Sequence, residues 1–160
     1  MAEKKRIKQF LGRCEHNIDE KGRLFIPAKF RAFLGEDFVI CKSFHDTNCL
    51  FAFTEDDFDK LYDSFGLDSD IYVDADTARV QRMIYSSASY MKIDKQGRTL
   101  VPKNLREDVG MTKEVVLIGS GRRIEIWPLE DWNKEMGDNI QNNISRRRYD
   151  EMRSKRNEKK

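Results

Sequence analysis

The strongest constraint on this chain is that it contains one segment twice. Residues 17–35 line up without a gap on residues 92–110, a spacing of 75. Seven of the nineteen positions are identical: Ile18/Ile93, Asp19/Asp94, Gly22/Gly97, Arg23/Arg98, Pro27/Pro102, Arg31/Arg106 and Gly35/Gly110. Apolar positions stay apolar at Ile26/Val101, Phe30/Leu105 and Leu34/Val109. With small shifts, Val39-Ile40 falls on Val115-Val116, and Leu50-Phe51-Ala52-Phe53 falls on Ile124-Glu125-Ile126-Trp127.

Each copy reads as the same small unit. A strand runs into Asp-x-x-Gly-Arg, where glycine permits the positive φ of a tight turn and aspartate can bond the turn's backbone. A short apolar strand (24–26 or 99–101) follows. Pro27 or Pro102 then marks the first position of a helix that Gly35 or Gly110 closes about two turns later. Two further β-rich runs, near 37–42 and 49–53, recur near 114–119 and 123–127. So few strands with one small helix expose too much edge to stand alone. Two copies in one chain therefore predict mutual burial in a pseudo-symmetric, β-rich α+β barrel.

Three helices are expected outside the repeats. Thr54 caps a first one, with Phe58, Leu61, Tyr62 and Phe65 as its stripe and Gly66 as its stop. Asp76 to about Ser87 reads as a second, with Val80, Met83 and Ile84 on one face. Pro128 opens a third, carrying Leu129, Trp132, Met136 and Ile140. These stripes read as core, not as cofactor or membrane surfaces. No stretch approaches the roughly 20 apolar residues of a membrane span. The opening MAEKKRIKQF lacks the apolar region of a secretory signal.

The net charge of +2 is a cancellation. Residues 1–13 carry +4, residues 146–160 carry +5, and the body between them carries −7. Nine acidic residues crowd into 55–76 against Lys60 alone, a segment read as solvated surface without basic partners. The basic end is either a phosphate-binding tail or a solubilising, frayed terminus. Three cysteines (Cys14, Cys41, Cys49) form no paired metal-ligand spacing, so free thiols in a reducing cytoplasm are expected, with no metal and no cofactor.

No enzyme motif is present. There is no nucleophile elbow and no phosphate loop, and neither His16 nor His45 belongs to a repeated constellation. Gly119-Ser120-Gly121 reads as a strand–strand turn. What the repeat does duplicate is cationic. Lys21, Arg23, Lys29 and Arg31 accompany the first turn, and Lys95, Arg98, Lys103 and Arg106 the second. Arginine's planar fork suits phosphate or the guanine O6/N7 edge, and Asp19 and Asp94 are placed to hold Arg23 and Arg98 from the side. The same motif also reads as a salt-bridged turn that serves folding alone.

The segment Phe10-Leu11-Gly12, then Glu15 through Arg31, resembles the MraZ family of bacterial transcriptional regulators. Asp94 through Arg106, Lys113 through Gly119 and Glu125-Ile126-Trp127 resemble it equally, so the likeness covers about residues 10–145. The resemblance implies two SpoVT/AbrB-like repeats folded as a swapped-hairpin β-barrel. It implies ring-shaped homo-oligomers that bind double-stranded promoter DNA at direct repeats and regulate the division and cell wall gene cluster. It places the family's Asp-x-x-x-Arg signature on Asp19 and Arg23 and on Asp94 and Arg98, with the arginines as DNA contacts and Gly22 and Gly97 supporting the turns, in a cytoplasmic, nucleoid-associated protein with no membrane partner. The expected organisation is repeat 1 at 12–58, an acidic helical connection at 59–88, repeat 2 at 89–132, and a C-terminal helix and basic tail at 133–160. Two other readings compete. An AbrB-like antitoxin module would need an apolar tail that folds on its partner, and an RNA binder would need aromatic platforms among the basic turn residues.

Overall fold

The duplicated segment folds into one succession of elements twice. In the computed structural model, which describes residues 8–64, 74–142 and 144–158, the first copy is β1 (Phe10–Asn17), β2 (Arg23–Phe25), α1 (Ala28–Leu34), β3 (Asp37–Lys42) and β4 (Leu50–Thr54). Helices α2 (Glu55–Ser64) and α3 (Ala75–Ser87) follow. The second copy is β5 (Ser89–Lys92), β6 (Arg98–Leu100), α4 (Lys103–Val109), β7 (Glu114–Gly121) and β8 (Ile124–Pro128). These elements make one compact unit ending at Pro128; α5 (Leu129–Asn142) and α6 (Ile144–Glu158) make a second.

Six strands pair antiparallel in the order β1-β7-β8-β4-β3-β5, and β2 pairs with β6 in a separate two-stranded ribbon. Exchanging the copies reverses that order and otherwise leaves it unchanged. Each copy lends its first strand to the other's hairpin: β1 lies along β7, and β5 along β3. The pseudo-twofold axis crosses the ribbon at the pair Leu24↔Thr99 and the sheet at the pair Phe51↔Glu125.

The expected swapped-hairpin barrel does not form, because neither sheet closes. The larger one ends on β1 and β5, which have no second strand partner among the described residues. The strands that could bridge them are consumed in the ribbon and are three residues long each. Pro27 and Pro102, at φ −54° in both copies, follow almost at once and turn the chain into α1 and α4. What stands is an α+β fold with an open sheet and a ribbon.

The second half of the repeat aligns differently from the sequence match. Ile18 donates to Lys113 where Ile93 donates to Glu36, so the second copy has two extra residues after its helix. Val39-Ile40 therefore corresponds to Val116-Leu117, not to Val115-Val116. The faces agree with this: Phe38, Ile40, Val115 and Leu117 enter one core together with Leu50, Ala52, Ile124 and Ile126. One residue of slip would have reversed every side chain. That core is completed by Leu24, Ile26 and Val101 beside the ribbon and by Phe30, Leu34, Leu105 and Val109 of α1 and α4. Burying each such side chain contributes about 1.5–3 kcal/mol before entropy is counted. On the sheet's other side α2 and α3 pack on β4 and β3.

Other expectations fare unevenly. Thr54 Oγ1 accepts the Asp57 amide at 3.1 Å, which satisfies the start of α2. Ile84 is buried, but Met83 on the same helix is exposed. Gly119-Ser120-Gly121 is not a turn. It continues β7 opposite Phe10, Leu11 and Gly12. A β-carbon on Gly119 would strike the Phe10–Leu11 backbone, so glycine there permits close approach of two strands. Within the basic end, Ile144–Glu158 is helical as α6. The three cysteines are free, with Cys41 and Cys49 buried. Phe65, Gly66, Asp68, Asp70, the basic residues of 1–7 and the last two lysines lie outside the described residues, as do the side chains of Tyr62 and Ile140.

Candidate nucleic-acid interface

The site begins with five bonds inside five residues, one of them from the Asp19 amide to the Arg23 carbonyl at 3.0 Å. In the first turn Asp19 Oδ1 accepts the amides of Lys21 at 3.0 Å and Arg23 at 2.9 Å, and Oδ2 accepts Arg23 Nε at 2.7 Å. The Gly22 amide donates to the Asp19 carbonyl at 2.9 Å, with Gly22 at φ 86°. The second turn repeats this: Asp94 Oδ1 takes Gln96 at 2.8 Å and Arg98 at 3.0 Å, and Oδ2 takes Arg98 Nε at 3.4 Å. Gly97 stands at φ 80°. The bond from the Arg23 amide, helped by the guanidinium and opposed by desolvation, holds the Asp19 carboxyl below the usual carboxylate range; the Arg98 amide does the same for Asp94.

The ribbon sets the direction of the arginines. Side chains alternate along a strand, and Leu24 and Thr99 point into the protein. Arg23, Phe25, Arg98 and Leu100 therefore share the outer face, with Arg23 opposite Leu100 and Phe25 opposite Arg98. The two arginines are diagonal neighbours, about 7–8 Å apart at Cα. Each gives its Nε to its aspartate, which leaves the terminal nitrogens of the fork as the groups able to meet a planar acceptor. Phe25 is 37% and Leu100 59% exposed, so the face is apolar between its cations. Sequence reasoning missed these two, although period-two alternation around the buried Leu24 signals them.

Arg31 and Arg106 lie elsewhere, and they lie crosswise. A β-carbon on Gly22 would sit 2.5 Å from Arg106 Cζ, and one on Gly97 would sit 2.9 Å from an Arg31 amino group. Each of these arginines thus backs the other copy's turn. Arg106 Nε donates to the Val101 carbonyl at 3.1 Å. Arg31 stacks over the Phe25 ring at 5.4 Å, and its Nε is buried without a partner. The turns are also bonded across the axis, Ile26 N to Gly97 O at 2.8 Å and Val101 N to Gly22 O at 2.9 Å. Lys21 and Lys95 are exposed on the turns themselves. Lys29 lies near Gly12 of β1, its ammonium 5.0 Å from the Phe30 ring centre, and Lys103 pairs with Glu107 at 3.7 Å.

Away from the ribbon, the acidic segment does have basic partners. Buried Asp57 meets Arg122 at 2.5 Å and Lys60 at 3.5 Å. His16 packs on Phe25, ring centres 5.4 Å apart. Among the described residues no group of three or more His, Cys, Asp and Glu side chains is placed to hold a metal, and no helix is long and apolar enough to cross a membrane.

The geometry defines a class: a duplicated protein of AbrB-like topology whose two copies combine to display a pair of buttressed arginines. Residues 9–82 and 84–153 match the family model described as "MraZ protein, putative antitoxin-like". The chain is 43% identical over 125 residues to the transcriptional regulator MraZ of Heliobacterium modesticaldum, covering 78% of this chain and 85% of that one. It is 40% identical over 129 residues to that of Acetivibrio thermocellus (81% and 87%) and 39% over 146 residues to that of Alkaliphilus oremlandii (91% and 95%). The chain belongs to the MraZ family of transcriptional regulators.

Proposed function

We propose that this protein is a sequence-specific DNA-binding regulator that inserts its two-stranded ribbon into the major groove of promoter direct repeats. The observation that carries the reading is the shared outer face of Arg23 and Arg98, each held by its own aspartate. A major groove about 12 Å wide admits a two-stranded ribbon, and outward arginine forks match guanine O6/N7 or phosphate. Phe25 and Leu100 suit the thymine methyl between such contacts. Lys21 and Lys95 flank the ribbon as phosphate contacts, with Lys29 and Lys103 further out. Arg31 and Arg106 act from behind, keeping the turns in place.

The genes controlled are those of the division and cell wall cluster, and the acting species is a ring of identical subunits at the nucleoid. The edges of β1 and β5, which have no second strand partner among the described residues, give such a ring two places to form contacts. A ring suits direct repeats, since neighbouring subunits offer the same ribbon to successive sites and weak contacts add. The antitoxin reading is disfavoured by α6, where the apolar residues with described side chains are only Tyr149 and Met152.

The test is a gel shift against the protein's own upstream region, with the repeats scrambled as control. R23A and R98A are each expected to cost about 1–3 kcal/mol of discrimination with the fold intact. Unchanged binding in the double variant removes the ribbon from the interface. Light scattering of the purified protein decides between ring and monomer.

A further inference from the structure

We propose that α6 is a second DNA-binding element, which grips duplex phosphates without reading sequence. The inference deepens the DNA-binding reading above and rests on it. Every side chain from Arg146 to Arg156 is exposed. At 3.6 residues per turn the charges sort by sign. Arg146, Arg148, Arg153, Lys155 and Arg156 fall on one half of the helix with Tyr149 and Met152, while Asp150 and Glu151 fall on the other with Arg147.

The acidic half is locally compensated. Glu151 takes Arg147 at 3.6 Å and Arg148 at 3.2 Å. Arg146, Arg153, Lys155 and Arg156 have no ion pair among the described residues. Four unpaired cations over about 15 Å of helix oppose a duplex that presents one negative charge per about 1.7 Å of its axis. The Tyr149 hydroxyl adds a further phosphate donor.

Charge complementarity selects this occupant over the others. A helix that docks in a protein groove needs apolar anchors repeated at i, i+3, i+4 and i+7, and an interfacial membrane helix needs a broad apolar face. The basic half offers Tyr149 and Met152, 64% and 60% exposed, among five cations. Phosphate contacts carry no base information. α6 therefore raises affinity for any duplex and leaves discrimination to Arg23 and Arg98.

The experiment uses the full chain, an R146Q/R153Q/K155Q/R156Q variant and a charge-keeping R146K/R153K/R156K variant. Affinity is measured from low to high salt on a duplex carrying the direct repeats and on a scrambled one. The Gln variant is expected to lose affinity for both duplexes by the same factor. Its slope of log K on log salt should fall by about 0.9 for each phosphate a subunit no longer neutralises, while the Lys variant keeps the wild-type slope. A milder R153Q/R156Q variant, expected to show about half the change, carries the test if the fourfold variant loses its fold by circular dichroism. An unchanged slope overturns the proposal, as does a loss confined to the repeat-bearing duplex. So does binding to anionic phospholipid vesicles that falls in the Gln variant while DNA binding holds. Wild-type protein that treats the two duplexes alike defeats the sequence-specific reading of the ribbon, and the slope still decides α6.

Discussion

The two Asp-x-x-Gly-Arg turns share a backbone and differ in how firmly each holds its arginine. Asp19 meets Arg23 Nε at 2.7 Å, and Asp94 meets Arg98 Nε at 3.4 Å. The buttresses differ in the same direction. Arg106, behind the first turn, is bonded to the Val101 carbonyl, whereas Arg31, behind the second, leaves its Nε buried and unpaired. The first turn therefore holds its arginine by the shorter bond, with the better-bonded arginine behind it. Duplication keeps the main-chain solution common to both copies and lets the side chains behind it diverge.

The largest break in the symmetry lies on the axis itself, where buried Leu24 faces buried Thr99. Leu24→Ala opens a cavity beneath the ribbon and should cost about 3 kcal/mol in chemical denaturation. Thr99→Val instead removes the 3.0 Å bond to the Lys92 carbonyl and should cost about 1 kcal/mol. Equal costs would mean that the two sides of the ribbon are packed alike.

The glycines come next. Gly22→Ala and Gly97→Ala both force a side chain into positive φ and against a guanidinium, so each should destabilise by about 1–3 kcal/mol. Gly22→Ala should be the worse, because the arginine it displaces is hydrogen-bonded. The reverse order in thermal melts would show that the Phe25 stack, not the carbonyl bond, anchors a buttress.

Cysteine chemistry separates the copies kinetically, since all three cysteines lie in the first. Burial pushes the Cys41 and Cys49 thiols up to about 12. Half-buried Cys14 should thus be the first labelled by a thiol reagent near pH 8, with the other two waiting for opening of the β3–β4 region. Because their folded pKa is raised, the stability they contribute is complete below the ordinary value of 9.0 and is lost as pH rises toward about 12. Early labelling of Cys49 by mass spectrometry would contradict this burial.

The smallest effect is at acid pH. Asp19 and Asp94 both titrate below the ordinary 3.8, so their contribution to the turns is complete above that value and fades as pH falls through the lowered ones. Carboxyl chemical shifts should show both titrating low. Asp19→Asn should weaken DNA binding more than Asp94→Asn, since it releases the tighter arginine. Equal effects would erase the distinction between the turns.

Much of this was legible in the sequence. Gly22, Gly97, Asp19 and Asp94 announce their turns because each acts on backbone no more than four residues away. The strand–helix switch at Pro27 and Pro102 is equally local. The offset after the helices was not legible: Met111 and Thr112 lengthen the second connection, and Val115-Val116 resembles Val39-Ile40 closely enough to hide it. Pairing of Asp57 with Arg122 was missed for another reason, as 65 residues separate the partners.

The sequence by itself determined that there are two equivalent turns, each presenting one arginine held by one aspartate, because every bond in that motif is short-range. Tertiary structure decided that the copies exchange first strands, that the sheet stays open, and that Arg31 and Arg106 each serve the opposite turn. Those outcomes depend on which distant strands meet. A repeated pattern specifies the pieces equally well for pairing within a copy or across copies, and only the packing of both around one core selects the exchange.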